Sequence, residues 1–221
     1  MYISIKNRII FLLIVFTLLP FVLLRIVAYP RIQSDLQEVL IRNLDGIGHK
    51  QAELVTTWAQ ERMKNARVIA NNPLMVKCAK IIKEDKDYAD IVQYLEVVKD
   101  EYGYKGVLVS NDKGLVTVST AEEGVGNDIS QMDYFNQALQ GSTFVSNVFP
   151  SEIPLTNEMG EKELSMPTMF VSTPLKDRDG VIIGVVAIRV DEKTLNDLML
   201  SLHLGKTGET YLINKDGYMI T

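Results

Sequence analysis

The chain opens on an unbroken apolar stretch. From Ile9 it reads IIFLLIVFTLLPFVLLRIVAY, apolar to Leu24 and continuing past Arg25 to Tyr29. At ~1.5 Å of rise per residue this run can cross a hydrocarbon layer of ~30 Å, with Arg25 snorkelling near one end. Pro20 is tolerated in a spanning helix, where local adjustments satisfy the freed carbonyl. Beyond Pro30 the pattern changes to a stripe of Ile32, Leu36, Leu40, Leu44, Ile47, Leu54, Trp58, Ala66 and Ile69 with charges between. A three-to-four-residue period of that length predicts a long amphipathic helix over 31–72, a stalk. Two readings of the stalk stand together: it pairs with a second copy, or it packs along its own domain. Gly46 and Gly48 weaken a strict coiled coil.

Asn72 and Pro73 end the stalk, and helical patterns follow over Leu74 to Glu84 and Tyr88 to Glu101, the second closed by Gly103. From there the period shortens to two. KGVLVSN and LVTVST flank an Asn-Asp-Lys-Gly turn, a hairpin signal because Gly114 can take positive φ. A short helix from Asp133 to Leu139, the strand STFVSNVF, and the strands PTMFVSTPL and VIIGVVAIRV complete an α+β pattern with a five-stranded antiparallel sheet. VIIGVVAIRV is apolar on both faces and is expected at the centre. Glu192 to Leu202 predicts a closing helix, and ETYLINKDGYMIT a further hairpin in which Thr221 falls inside the second strand. An isolated hairpin is marginal in water, so the sequence is expected to be cut short there.

Charge gives the apolar run a direction. Residues 1–30 hold Lys6, Arg8 and Arg25 and no acid, so the rest of the chain is three charges more acidic than the total of −5. Basic residues at the short N-terminal end are expected to stay in the cytoplasm, placing residues from about 30 onward outside. No small-x-small cleavage pattern follows the run, which favours an uncleaved anchor over a signal peptide. The acidic remainder clusters no Lys and Arg on one face, so nucleic acid is not an expected partner. A hydrophobic share of 47% with 8% aromatic residues is enough for an ordinary core.

Candidate chemistry is sparse. Cys78 is the only cysteine, which excludes an intramolecular disulfide and a Cys-rich metal site. His49 and His203 sit in no ligand-spaced motif, and no metal or cofactor is expected. Gly205-Lys206-Thr207 ends like a phosphate-binding loop, but Leu200 stands where that loop needs its first glycine and a helix leads in instead of a strand. Gly205 and Gly208 read instead as a helix cap and a turn. With no Ser, His and acid constellation, the chain is not expected to be an enzyme.

Three segments carry a family likeness: DISQMDYFNQALQGSTFVS (Asp128 to Ser146), PTMFVSTPLKDRDGVIIGVVAIRVD (Pro167 to Asp191) and LGKTGETYLINKDGYMIT (Leu204 to Thr221). With the anchor and stalk, the chain resembles the double Cache family of bacterial receptors. The resemblance implies a cytoplasmic N-terminus over 1–8, a transmembrane helix over 9–29, the stalk over 31–72, a membrane-distal PAS-like domain over 73–204, and the start of a membrane-proximal one over 205–221. It implies the extracytoplasmic input region of a single-pass inner-membrane receptor, homodimeric through the stalk. The output would be a histidine kinase, diguanylate cyclase or chemotaxis module. The alternative is a constitutive dimerisation or adaptor module without a ligand.

The same resemblance puts a small-molecule site between the sheet and the helix and loops over it, with Asp133, Tyr134, Phe135, Phe170 and Ser172 as candidate ligand-binding residues. Tyr134 offers an apolar face and a polar tip, as such pockets require. Tyr134 and Phe135 also fit as plain core aromatics, and Asp133 as a helix N-cap. Amino-acid-binding members carry an Arg where Met132 stands, which argues against an amino acid ligand. The charged loop from Pro150 to Met166 is either a lid or plain surface.

Overall fold

A computed structural model of the protein describes residues 5–156, 159–191, 193–201, 210–214, 217 and 219–220. The chain divides into two units, residues 1–50 and 51–221. In the first, helix α1 (Ile5–Leu23) leads through a π-helical stretch (Leu24–Ala28) into α2 (Tyr29–Ala70). The helix runs on through Pro30 without a break. Tyr29 N–H reaches back five residues to Leu24 O, and this wider turn makes room for the Pro30 ring, which lacks the N–H of a regular helix. No residue of α1 is buried, and its apolar side chains stand exposed on every side, Phe11 at 68% and Phe16 at 79%. Thr17, the polar side chain within the apolar run from Ile9, donates its hydroxyl to Leu13 O at 2.9 Å. This helix is long and apolar enough to cross a membrane.

In the second unit α2 buries Trp58, Ala66, Ile69 and Ala70. Asn72 then caps α3 (Pro73–Cys78), its side chain accepting from Leu74 N at 3.0 Å with Pro73 in the first turn. The expected helix from Leu74 to Glu84 ends early, at Cys78. Thr117 Oγ1 donates to Cys78 O at 2.6 Å, and Ile82 N–H turns to Asp85 Oδ2 at 3.1 Å, so the next helical bond is not made. Helix α4 (Tyr88–Tyr102) closes at Gly103, φ 67°, where Tyr104 N–H returns to Lys99 O at 2.8 Å.

The sheet begins with the hairpin of β1 (Gly106–Asn111) and β2 (Val116–Ser119). After α5 (Asp133–Leu139) come four two-residue strands, β3 (Phe144–Val145), β4 (Phe149–Pro150), β5 (Leu155–Thr156) and β6 (Lys162–Glu163). Long strands β7 (Pro167–Lys176) and β8 (Ile182–Val190) and helix α6 (Lys193–Leu200) follow. The order is β2-β1-β8-β7-β3, antiparallel throughout, with β8 at the centre as its two apolar faces require. Strand β4 also pairs with β7, so a sixth strand joins the five expected, and STFVSNVF is two pieces instead of one. The interruption is Ser146: its Oγ accepts Phe170 N–H at 2.9 Å, taking a ladder donor and shifting the register.

Alternation sorts the sheet into two faces. Val107, Val109, Met169, Val171, Val186, Ile188 and Val190 form one core with α2, α3 and α4. Leu108, Phe170, Val185 and Ala187 form a second with Ile129 and α5. The hairpin expected over 209–221 falls partly outside the described residues, as do Glu192, Leu202, His203 and the Gly205-Lys206-Thr207 and Gly208 segment. Among those described, Ile213 bridges Met219 and Ile220 N–H donates to Leu212 O at 2.8 Å.

Candidate functional site

The second face is where the sheet stops being purely apolar. Along β8, Val185, Ala187 and Arg189 share that face, and across the ladder Phe170 stands directly opposite Arg189. Thr168 and Ser172 flank Phe170 two residues either way on β7. Helix α5 lies over this row and brings Tyr134 onto Phe170, the ring centroids 4.7 Å apart and the planes 21° from parallel. Phe149 of β4 completes the cluster, 6.1 Å from Tyr134 and 6.0 Å from Phe170. The Arg189 guanidinium lies over the other part of the Phe170 ring, 5.0 Å from its centroid, in cation–π contact.

These residues border a half-open chamber of about 50 Å³ lined by Leu108, Tyr134, Phe149, Thr168, Phe170 and Arg189 among others. It shares Met132, Tyr134, Phe149 and Glu152 with a groove of about 430 Å³ beside α5. It shares Thr168 and Arg189 with a cavity of about 610 Å³ that reaches Tyr104, Lys105 and Lys162. The two larger spaces fall in the size range of small-molecule sites, and the chamber between them is walled by stacked aromatic rings.

Its electrostatics are unusual. Arg189 is 7% exposed and Thr168 1%, and both Arg189 Nε and Thr168 Oγ1 lie out of reach of solvent with no hydrogen-bond partner among the described residues. Burial pulls the Arg189 guanidinium below its usual range, with the neighbouring Tyr134 phenol pulling the other way. Burial likewise pushes the Tyr134 phenol up, outweighing the nearby guanidinium. An uncompensated buried cation is costly, and its presence in a cavity wall is a common signature of a functional site.

Of the five candidate residues, Tyr134 lines both the chamber and the groove, Phe170 the chamber, and Asp133 the groove. Asp133 is exposed, and it is the first helical residue of α5; the cap position belongs to Met132, which makes no side-chain cap bond. The N-cap reading of Asp133 is therefore corrected. Phe135 is 2% exposed and packs into the core behind the chamber. Ser172, fully buried, donates its hydroxyl to Tyr134 O at 2.6 Å. Sequence reasoning missed Arg189, Thr168 and Phe149. An arginine inside a strand otherwise apolar on both faces was the available signal.

A family model described as Cache domain matches residues 32–221. Solved structures share the fold. The ligand-binding domain of the Campylobacter jejuni chemoreceptor Tlp3, in complex with L-valine, is 17% identical with a TM-score of 0.61, covering 85% of this chain and 72% of that one. The ligand-binding domain of the Pseudomonas aeruginosa amino acid chemoreceptor PctC, in complex with GABA, is 20% identical at 0.54, with 81% and 74% covered. The sensor domain of the V. cholerae histidine kinase DctB is 14% identical at 0.55, with 73% and 59% covered. No curated protein sequence matches the chain.

Proposed function

From the premise that this chain belongs to the Cache domain family, we propose that it is the small-molecule sensing input region of a bacterial transmembrane receptor. The observation that carries the reading is the aromatic chamber of Tyr134, Phe149 and Phe170, continuous with a groove of ligand size on the sheet face that α2, α3 and α4 leave free. Cache sensor domains of chemoreceptors and histidine kinases bind small ligands, and the chain binds in the same sense and catalyses nothing itself. Tyr134 and Phe170 supply the wall of the site and Asp133 its rim; Phe135 and Ser172 hold α5 against β7 behind it.

The helix from Ile5 anchors the chain in the inner membrane, with Lys6 and Arg8 on the cytoplasmic side and the folded unit outside. The output partner is a histidine kinase, diguanylate cyclase or chemotaxis module. Ligand binding shifts the sensor between two arrangements only by its differential affinity for them. The exposed stripe of Ile32, Leu36, Leu40 and Leu44 supports pairing of two chains through the stalk. It also favours, as the second reading, a constitutive dimerisation module.

The test is thermal melting of the full chain in detergent micelles against a library of small metabolites. Sensing predicts that at least one compound raises the midpoint saturably, by linkage to the folded state. A silent library together with a stable dimer would favour the dimerisation module instead.

A further inference from the structure

The walls of the chamber carry an imbalance of charge that points to the class of ligand. Among the basic side chains on the adjoining 610 Å³ cavity, Lys105 holds Asp191 at 3.1 Å, Lys162 holds Glu123, and Lys99 holds Glu96 and Asp100. Arg189 alone reaches into both that cavity and the chamber, with no carboxylate against it among the described residues. Thr168 puts a second unpartnered polar atom in the same two walls. Gly106 stands opposite Arg189 on β1, where a Cβ would lie 3.7 Å from Arg189 Cβ and 3.4 Å from Thr120 Oγ1. The acidic residues nearest the aromatic wall, Asp133 and Glu152, are exposed at its rim, so among the described residues no buried carboxylate lines the chamber to receive an ammonium group.

Resting on the sensor reading above, we infer that Arg189 and Thr168 form a carboxylate subsite and that the ligand is a small organic monocarboxylate without an amino group. The terminal nitrogens of the planar guanidinium match a carboxylate in two parallel hydrogen bonds, the buried Thr168 hydroxyl becomes a third donor when its side chain turns toward the cavity, and the rings of Phe170 and Tyr134 cover the apolar body. A zwitterionic amino acid would bring an ammonium group into a chamber whose one buried charge is already positive. The desolvation cost of that second cation is not offset, so the site rejects amino acids by the absence of a partner.

The experiment uses the full chain in micelles and matched pairs in which hydrogen or hydroxyl replaces the amine: butyrate against 4-aminobutyrate, and 2-hydroxyisovalerate against valine. Calorimetric titration of wild type is expected to show saturable binding of the carboxylate in at least one pair and at least tenfold weaker binding of its amino partner. Arg189→Gln is expected to weaken that carboxylate roughly 100-fold, as when one partner of a buried charge pair is removed. Its unliganded melting midpoint should be no lower than that of wild type, because the uncompensated charge is gone. Thr168→Val keeps the shape of the wall and should weaken the carboxylate several-fold, which covers the case in which the arginine variant does not fold. Binding of the amino acids in preference to their partners, or carboxylate binding unchanged in both variants, would overturn the subsite while leaving the sensor reading intact. Silence of both compound classes in wild type, if the wider library also fails, would remove both.

Discussion

Ser172 on β7 donates its hydroxyl to the backbone carbonyl of Tyr134 at 2.6 Å, fastening the first turn of α5 to the sheet. The bond is fully buried and sets the height of the Tyr134 ring over Phe170, so a residue that touches no cavity still shapes the chamber. Ser172→Ala should lower the stability of the unit by about 1 kcal/mol, the usual net worth of one buried hydrogen bond. Urea unfolding of the two proteins measures it. An unchanged midpoint would show that the hydroxyl does not hold α5.

Much of this architecture could be read from periodicity. The strand patterns PTMFVSTPL and VIIGVVAIRV predicted β7 and β8, the apolar residues on both faces of the second predicted its central place, and the helical pattern from Tyr88 predicted α4, which buries Ile91, Leu95 and Val98. Of the two stalk readings, packing along its own domain holds only for the later part of α2. Ile32, Leu36, Leu40 and Leu44 are exposed, whereas Trp58, Ala66 and Ile69 pack on their own unit. What periodicity could not show was competition for single hydrogen bonds. Thr117 claims Cys78 O and shortens α3; Ser146 claims Phe170 N–H and splits a strand. Both partners are distant in sequence. The site was half legible for a similar reason. Tyr134 and Phe170 stand out as aromatics; Arg189 is visible in the sequence as an arginine in an apolar strand, but its setting, against Phe170 with no acid beside it among the described residues, is set by the fold.

Gly184 on β8 stands opposite Asn111 of β1. A Cβ there would lie 2.1 Å from Ser110 O, with Asn111 Cα at 3.3 Å, and both are backbone atoms of the paired strand that cannot rotate away. Gly184→Ala should therefore force the two central strands apart and cost at least about 3 kcal/mol, the upper end of the usual overpacking range. The expected readout is a large loss of folded protein in urea titration. A variant as stable as wild type would mean that the ladder from Gly106 to Asn111 is looser than its register implies.

Gly46 and Gly48 make the opposite case. A Cβ at either meets nothing within 4 Å, and both lie inside α2. Replacing a glycine by alanine in an exposed helix interior stabilises it by about 1 kcal/mol, a factor of roughly five in the local opening equilibrium. Amide hydrogen exchange across residues 42–52 should slow by about that factor for each substitution. Faster exchange would instead show that another backbone approaches these glycines closely, as a tightly paired second copy would require.

Cys78 links this core to pH. Its thiol is buried, donates to Leu74 O at 3.4 Å, and is pushed up to about 12, chiefly by desolvation. An unfolded cysteine ionises near pH 8.5, so above that value the unfolded chain has lost a proton that the folded chain still holds. Stability from this group is complete below about pH 8.5 and falls as pH rises toward the folded value, at up to about 1.4 kcal/mol per pH unit. Tyr104, whose phenol burial also pushes up, adds a loss of the same sign at higher pH and is common to both proteins in a comparison with Cys78→Ala. The alanine variant should be the less stable near neutral pH because it leaves a cavity, and the gap should shrink by about 2 kcal/mol at about pH 10. Urea midpoints at the two pH values test this. A gap that stays constant would mean the thiol ionises in the fold as readily as in the open chain, and thiol reagents would then attack native protein instead of only unfolded chains.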